Sequence, residues 1–196
     1  MVLQWSLFLY LVNIIYTMKT FKKLHYFLIV FAFSYTTFNV NAQDKANRLV
    51  NQTIIDPTLN TEILYGYCTA EGLASSLVFS KYYSESLTNY SVDTFITAQI
   101  ANTENISVKI VFGSWCSDSH REVPKFLRIM ETMNISDDNI TIIAVNRDKE
   151  FSKIDIVRMG VKLVPTFIVY REGNEVGRIV EIADPSLEME LMEMLK

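Results

Sequence analysis

Val111-Phe-Gly-Ser-Trp-Cys-Ser-Asp-Ser119 joins two segments of different hydrophobic period. Upstream, Val108-Lys-Ile-Val-Phe112 is a short β-branched run of the kind that forms a strand. Downstream, Val123, Phe126, Leu127 and Met130 recur at three- and four-residue intervals, which predicts a helix over 119–133. A cysteine between a strand end and a first helical turn meets unpaired backbone N–H groups and the positive end of the helix dipole. Those groups stabilise an anion, so Cys116 is the candidate nucleophile, with an inert buried thiol as the competing reading.

Working outward, Ile140-Thr-Ile-Ile-Ala-Val145 is an almost continuous apolar run, the mark of a strand buried on both faces. Strand, helix and strand at this spacing predict a parallel βαβ unit with a right-handed crossover. Thr166-Phe-Ile-Val-Tyr170, the turn Arg171-Glu-Gly-Asn174 and residues 175–180 read as a β-hairpin, and residues 186–195 as an amphipathic helix with Pro185 just before it. The expected architecture is α/β, with a central mixed sheet flanked by helices over residues 105–196. Residues 43–104 carry the breakers Asn51, Pro57 and Asn60, the apolar run Ile63-Leu64-Tyr65, and helical patterns within 70–90 and 92–101. They read as a mainly helical N-terminal extension packed on that core.

These motifs together resemble the thioredoxin superfamily, in particular the bacterial exported thioredoxin family protein type with a Trp-Cys-x-Asp-Ser site. Trp115 and Cys116 match the active-site pair, and Pro124 stands eight residues after Cys116, as the helix proline of thioredoxins does. Val164-Pro165-Thr166 matches the cis-proline loop, with Gly173 eight residues beyond Pro165 at the hairpin glycine. The resemblance covers residues 105–196. It implies a thioredoxin-like fold, a cis Pro165, and an extended substrate docked by Trp115, Val164 and Pro165 beside the Cys116 sulfur. No cofactor is implied.

Two departures narrow the expected chemistry. Ser119 stands where thioredoxins carry their second cysteine, making a Cys-x-x-Ser site. Cys116 can then attack a disulfide, but release of the mixed disulfide needs another thiol. Ile110 replaces the buried aspartate six residues before the cysteine. Ser119 is one helical turn from Cys116 and either donates a hydrogen bond to the thiolate or serves as an ordinary first-turn residue. Asp118 suits a helix N-terminus yet sets a negative charge near the sulfur, and His120 or Arg121 is placed to offset it. Cys68 is the other auxiliary candidate, as a resolving thiol or as a small buried core residue.

Composition removes several classes. Cys68 and Cys116 are the only cysteines, and His120 the only histidine after residue 42, so a four-ligand structural zinc site cannot be assembled and no metal is expected. Lys19, Lys22 and Lys23 are three of the 18 basic residues and no acid precedes residue 43, leaving 15 basic against 22 acidic residues, a formal charge of −7. That balance argues against nucleic acid as a partner.

Residues 1–42 form a leader. An uncharged apolar stretch over 1–17 is followed by Met18-Lys-Thr-Phe-Lys-Lys23 and an apolar run over 26–38 that ends in Val40-Asn41-Ala42. This is the pattern of a secretory signal starting at Met18 and cleaved before Gln43. The alternative is a membrane hairpin anchor in an uncleaved leader, since the first run approaches the lower spanning limit of about 17 residues. The expected location is outside the cytosol, periplasmic or membrane-anchored. The expected function is thiol-disulfide exchange, as reductase or isomerase, with protein or small-molecule thiols and disulfides and an external reductant thiol as partners. A binding module without turnover and a redox sensor are the competing functions.

Overall fold

The computed structural model describes residues 50–100, 103–151 and 156–196. The chain divides into a unit of residues Met1–Arg48, which carries the expected leader and lies outside the described residues, and a unit of residues Leu49–Lys196.

The second unit is built on a five-stranded mixed sheet. Its strands are β3 (Gly66–Cys68), β4 (Ile106–Phe112), β5 (Ile140–Ala144), β6 (Thr166–Arg171) and β7 (Asn174–Val180). They lie in the order β3-β5-β4-β6-β7. β4 and β5 are parallel, in register from Val108 against Ile140 to Phe112 against Ala144. The other three pairings are antiparallel. A separate two-stranded hairpin, β1 (Thr53–Asp56) and β2 (Thr61–Leu64), precedes the sheet. Helices α1 (Ala70–Ser75), α2 (Ser80–Leu87) and α3 (Thr94–Thr97) lie between β3 and β4. Helix α4 (Ser117–Thr132) makes the crossover from β4 to β5, and α5 (Leu187–Leu195) closes the chain. This is the thioredoxin-like α/β architecture.

Side-chain alternation along the central strands divides the interior in two. Ile106, Val108, Ile110 and Phe112 of β4, Ile142 and Ala144 of β5, and Phe167 and Val169 of β6 enter the core shared with Leu73, Phe79, Phe126, Ile129, Met130 and Leu191. Val111, Ile143, Val145 and Ile168 point the other way and pack with Phe151, Ile156, Val161 and Val164. Burial on both faces is the physical reason that residues 140–145 are almost continuously apolar. Phe126 of α4 stacks on Phe167 of β6 with centroids 4.3 Å apart, which ties the helix carrying the site to the sheet centre. Truncating either ring would cost about 3–5 kcal/mol.

Local chemistry fixes the element ends. Glu172 and Gly173 both have positive φ, 52° and 79°, as a two-residue primed hairpin turn between β6 and β7 demands. Asn134 at φ 56° ends α4, and the Ile135 N–H returns to the Met130 carbonyl. The Ser186 hydroxyl caps α5 by accepting from the Met189 N–H at 3.2 Å. Three strands of the extension expected to be mainly helical are absent from the sequence reading: the hairpin β1–β2, and Gly66-Tyr67-Cys68, which is the edge strand β3, paired antiparallel with Ala144, Ile143 and Ile142. Three residues starting at a glycine with φ 98° carry too little period to be read as a strand.

Candidate functional site

The site lies where β4 gives way to α4. After Phe112 the chain turns at Gly113, where a β-carbon would stand 2.5 Å from Cε2 of the Trp115 indole. Only glycine lets the ring fold back that closely. The indole N–H donates to the Val145 carbonyl at 2.9 Å, and the Cys116 N–H closes the turn onto the Gly113 carbonyl at 2.9 Å. Cys116 is the N-cap residue of α4, in extended conformation at φ −98° and ψ 128°. Its carbonyl accepts the first intrahelical bond, from the His120 N–H at 3.0 Å, so the amides of residues 117–119 lie in the first turn with no helical acceptor of their own.

The Val164–Pro165 peptide bond is cis. The Cys116 thiol donates to the Val164 carbonyl at 3.2 Å, which brings residues 48 positions apart to one contact. Pro165 is buried, and its carbonyl accepts from the Glu181 N–H at 2.7 Å, while the Thr166 hydroxyl donates to the Leu163 carbonyl at 2.7 Å. Trp115 and Cys116 are half-buried and pack against the loop-covered core. Cys116 is therefore part-exposed, and its thiol faces the loop that the resemblance assigns to substrate.

The remaining candidates fall into other places. Ser119 is fully buried, and its hydroxyl oxygen accepts from the Gly113 N–H at 3.3 Å, holding the turn from beneath. Asp118 pairs with Arg121 at 2.9 Å, so its charge is offset on the helix itself. Glu122, Arg121's second partner, extends this pairing, and the hydrogen bond to Glu122 is the largest of the effects that raise Arg121 above its ordinary range. His120 stacks on Tyr82 with ring centroids 3.6 Å apart and nearly parallel planes. Its Nε2 lies 2.7 Å from the Ser114 carbonyl, and since a carbonyl only accepts, Nε2 carries the proton in that contact. Cys68 is buried in the helix-covered core with its Sγ 3.7 Å from the Gly66 carbonyl. Burial pushes the Cys68 thiol up to about 12. Both cysteines are free thiols, and they pack into different cores. Among the described residues no group of three His, Cys, Asp or Glu side chains is placed to hold a metal ion.

Several site residues carry no signal in the local sequence. The Leu64 N–H donates to the Ser114 hydroxyl at 2.8 Å, and Arg147 lies over the Trp115 ring with its guanidinium carbon 5.1 Å from the centroid. Arg147 Nε donates to Asp56 Oδ2 at 3.0 Å. Asp56, 1% exposed, is held below the usual carboxylate range first by the Leu59 N–H, with Thr58 and Arg147 adding to it against the opposing effect of burial. Arg147 was findable in principle: it follows β5 by three positions, and sites in open α/β sheets gather beyond the carboxyl ends of the parallel strands. Asp56 and Leu64 reach the site only through the tertiary docking of the β1–β2 hairpin.

No family model matches the chain, and no curated protein matches it. Solved structures do. The thioredoxin Mala s 13 of Malassezia sympodialis is 24% identical, over 50% of this chain and 80% of that one, with a TM-score of 0.35. A thioredoxin of Plasmodium falciparum is 22% identical, over 52% and 91%, with a TM-score of 0.36. Thioredoxin O2 of Arabidopsis thaliana, in its oxidised state, is 19% identical, over 52% and 85%, with a TM-score of 0.37. These likenesses concern the fold. The strand order β3-β5-β4-β6-β7, with α4 crossing from β4 to β5, makes the fold thioredoxin-like.

Proposed function

We propose that this protein is an exported thiol-disulfide oxidoreductase, a reductase or isomerase, that works through one nucleophilic cysteine, Cys116. The observation that carries the reading is the contact between the Cys116 sulfur and the Val164 carbonyl beside cis Pro165, at the start of a helix. There an extended chain can lie against the loop while its disulfide meets the thiol. The Cys116 thiolate forms a bond to one partner sulfur, the partner S–S bond breaks, and the departing sulfur leaves with the electron pair and takes a proton from solvent. The mixed disulfide is released when an external thiol attacks it. Cys68 is a poor resolving group, because its thiol stays protonated at neutral pH and faces the other core. Ser119 acts as a support for the turn that presents Cys116.

This chemistry makes the wild-type chain a trap for partners. Under oxidising conditions in the compartment to which it is exported, reducible covalent adducts should accumulate and appear off the diagonal on gels run without and then with reductant. Cys116→Ala should remove every adduct, and Ser119→Ala should leave most of them. Adducts that survive Cys116→Ala, or their absence from both wild type and Cys68→Ala, would reject exchange and favour a peptide-binding module on the same loop.

A further inference from the structure

The sequence after the leader carries an excess of acid, yet the segment bordering Trp115 and the cis-Pro165 loop runs the other way. Over residues 146–151 and 156–163 it holds Arg147, Lys149, Arg158 and Lys162 against Asp148 and Glu150. One of these cations is fixed against the residue next to the thiol. The Arg147 guanidinium carbon stands 5.1 Å from the Trp115 ring centroid, while Nε is tethered to Asp56 at 3.0 Å. The Asp56 side chain is 1% exposed and that of Arg147 38%, so the pair turns its positive end to solvent. Asp56 is itself pinned by the Thr58 and Leu59 amides, at 2.7 and 2.9 Å. A surface arginine ordinarily loses side-chain entropy when it is held in one place. Here a carboxylate 91 residues away in sequence, fixed by its own turn, supplies the holding.

We propose that Arg147 is a specificity-determining residue of the Cys116 site, and that the thiols and disulfides it serves carry a carboxylate close to the reacting sulfur. The inference rests on the exchange reading above and adds a substrate class to it. A partner whose sulfur meets Cys116 stands beside Trp115, and its flanking groups then come within reach of the guanidinium. Guanidinium pairs with carboxylate through parallel N–H donors, an arrangement that ammonium cannot reproduce. The bonds made and broken are those of the exchange already described, and Arg147 changes only how often an anionic partner occupies the site. The acidic surface as a whole repels such a partner, but that repulsion is screened beyond about 8–10 Å at ordinary salt, whereas a contact pair is screened much less.

The test uses the full chain and three small disulfides that differ in charge: dithiodipropionate with two carboxylates, neutral hydroxyethyl disulfide, and cystamine with two ammonium groups. The rate of mixed-disulfide formation at Cys116 is read by intact mass for wild type and Arg147→Gln. The wild-type to variant ratio for each disulfide cancels differences in leaving group. Arg147→Gln should slow the dianion about fivefold, leave the neutral disulfide within about twofold, and speed cystamine. Arg147→Lys should recover part of the dianion's rate. Should the glutamine variant fail to fold, Arg147→Lys decides in its place: relative to wild type it should slow the dianion about twofold without slowing the neutral disulfide, and an equal effect on the two overturns the proposal. Cysteine peptides oxidised to dimers and flanked by Glu or by Gln separate two sources of the same chemistry. A Glu preference exceeding that of the small dianion assigns an acidic peptide, a lesser one a small thiol acid, and both support the proposal. Reaction of every disulfide with no dependence on Arg147 overturns the inference and leaves exchange standing. If no disulfide modifies Cys116, exchange falls and the inference falls with it.

Discussion

Cys68 ends the edge strand β3 with its side chain in the helix-covered core, whereas Cys116 opens α4 with its sulfur against a loop carbonyl. The first thiol lies in an apolar core, and burial, opposed by hydrogen bonds from the Ala144 and Asn51 backbone, pushes it up to about 12. The second sits at a helix N-terminus, half-buried, beside a proline loop. Neither position is specified by the cysteine itself. What separates them is whether the chain around the sulfur is sheet interior or a strand-to-helix junction, where backbone N–H groups stay open. The difference between the two thiols is thus a property of the chain around them, and two strands away from the junction a cysteine is packing material.

The largest effect that follows is in alkylation. Iodoacetamide at pH 8 should modify Cys116 in the folded protein, while Cys68 reacts on the order of a thousandfold more slowly until the chain is unfolded, because only the thiolate attacks. Peptide mapping of the modified protein measures both sites at once. Comparable rates at the two cysteines would break the contrast, and with it the case for Cys116 as the single nucleophile.

Next in size is the effect of supplying the missing thiol. Ser119→Cys places a second sulfur one helical turn from the first and should raise turnover in a dithiol-driven disulfide reduction assay about tenfold, by resolving the mixed disulfide internally. It also replaces the hydroxyl that accepts from the Gly113 N–H by a weaker acceptor, so stability should fall by about 1 kcal/mol in denaturant melts. Unchanged turnover would mean that resolution is already internal or is not rate-limiting.

How much of this was legible in the sequence depends on how local the determinants are. The junction at residues 111–119 was readable because a period change, a glycine and a tryptophan-cysteine pair fall within one short stretch. Strands β4 to β7 and helix α4 were readable because their burial imposes a period. Ser119 was legible as a first-turn residue, but its bond to Gly113 depends on how tightly the turn closes, and the stacking of His120 on Tyr82 depends on where α2 docks. Asp56 and Leu64 lie 50 or more residues from the parts of the site they hold, so no local pattern could reveal them. The junction that holds Cys116 is a local fact and its supports are tertiary facts.

A smaller effect concerns Cys68 and alkaline pH. Its folded value, about 12, lies above the value of about 8.5 for a free thiol, so the native state keeps the proton that the unfolded chain loses. The stability so gained is present in full below about pH 8.5 and is lost as pH rises toward 12. Cys68→Ala should remove that dependence and cost about 1 kcal/mol at pH 7 through the lost sulfur contacts. Melting curves of the two proteins between pH 7 and about 10.5 would show the advantage of wild type vanish near about pH 9–9.5 and then reverse, and parallel curves would show that Cys68 is not kept protonated by burial.

The smallest effect tests the hairpin that holds the site from a distance. Asp56 is depressed below the ordinary carboxylate range, chiefly by the Leu59 and Thr58 amides with Arg147 adding to them. For a group of this kind the stabilisation is present above the unfolded value, about 3.9, and is lost as pH falls through the folded one. Asp56→Asn keeps one acceptor for the turn amides but removes the charge that tethers Arg147, so its melting temperature should lie below that of wild type at pH 7, with the gap closing under acid conditions. Trp115 fluorescence provides a second readout, because the guanidinium over the indole is no longer held and the ring's surroundings change with it. A variant with an unchanged spectrum and a pH-independent gap would show that Asp56 matters only to its own turn. The β1–β2 hairpin would then reach the surroundings of Cys116 only through the Leu64 N–H bond to the Ser114 hydroxyl, and not through Asp56.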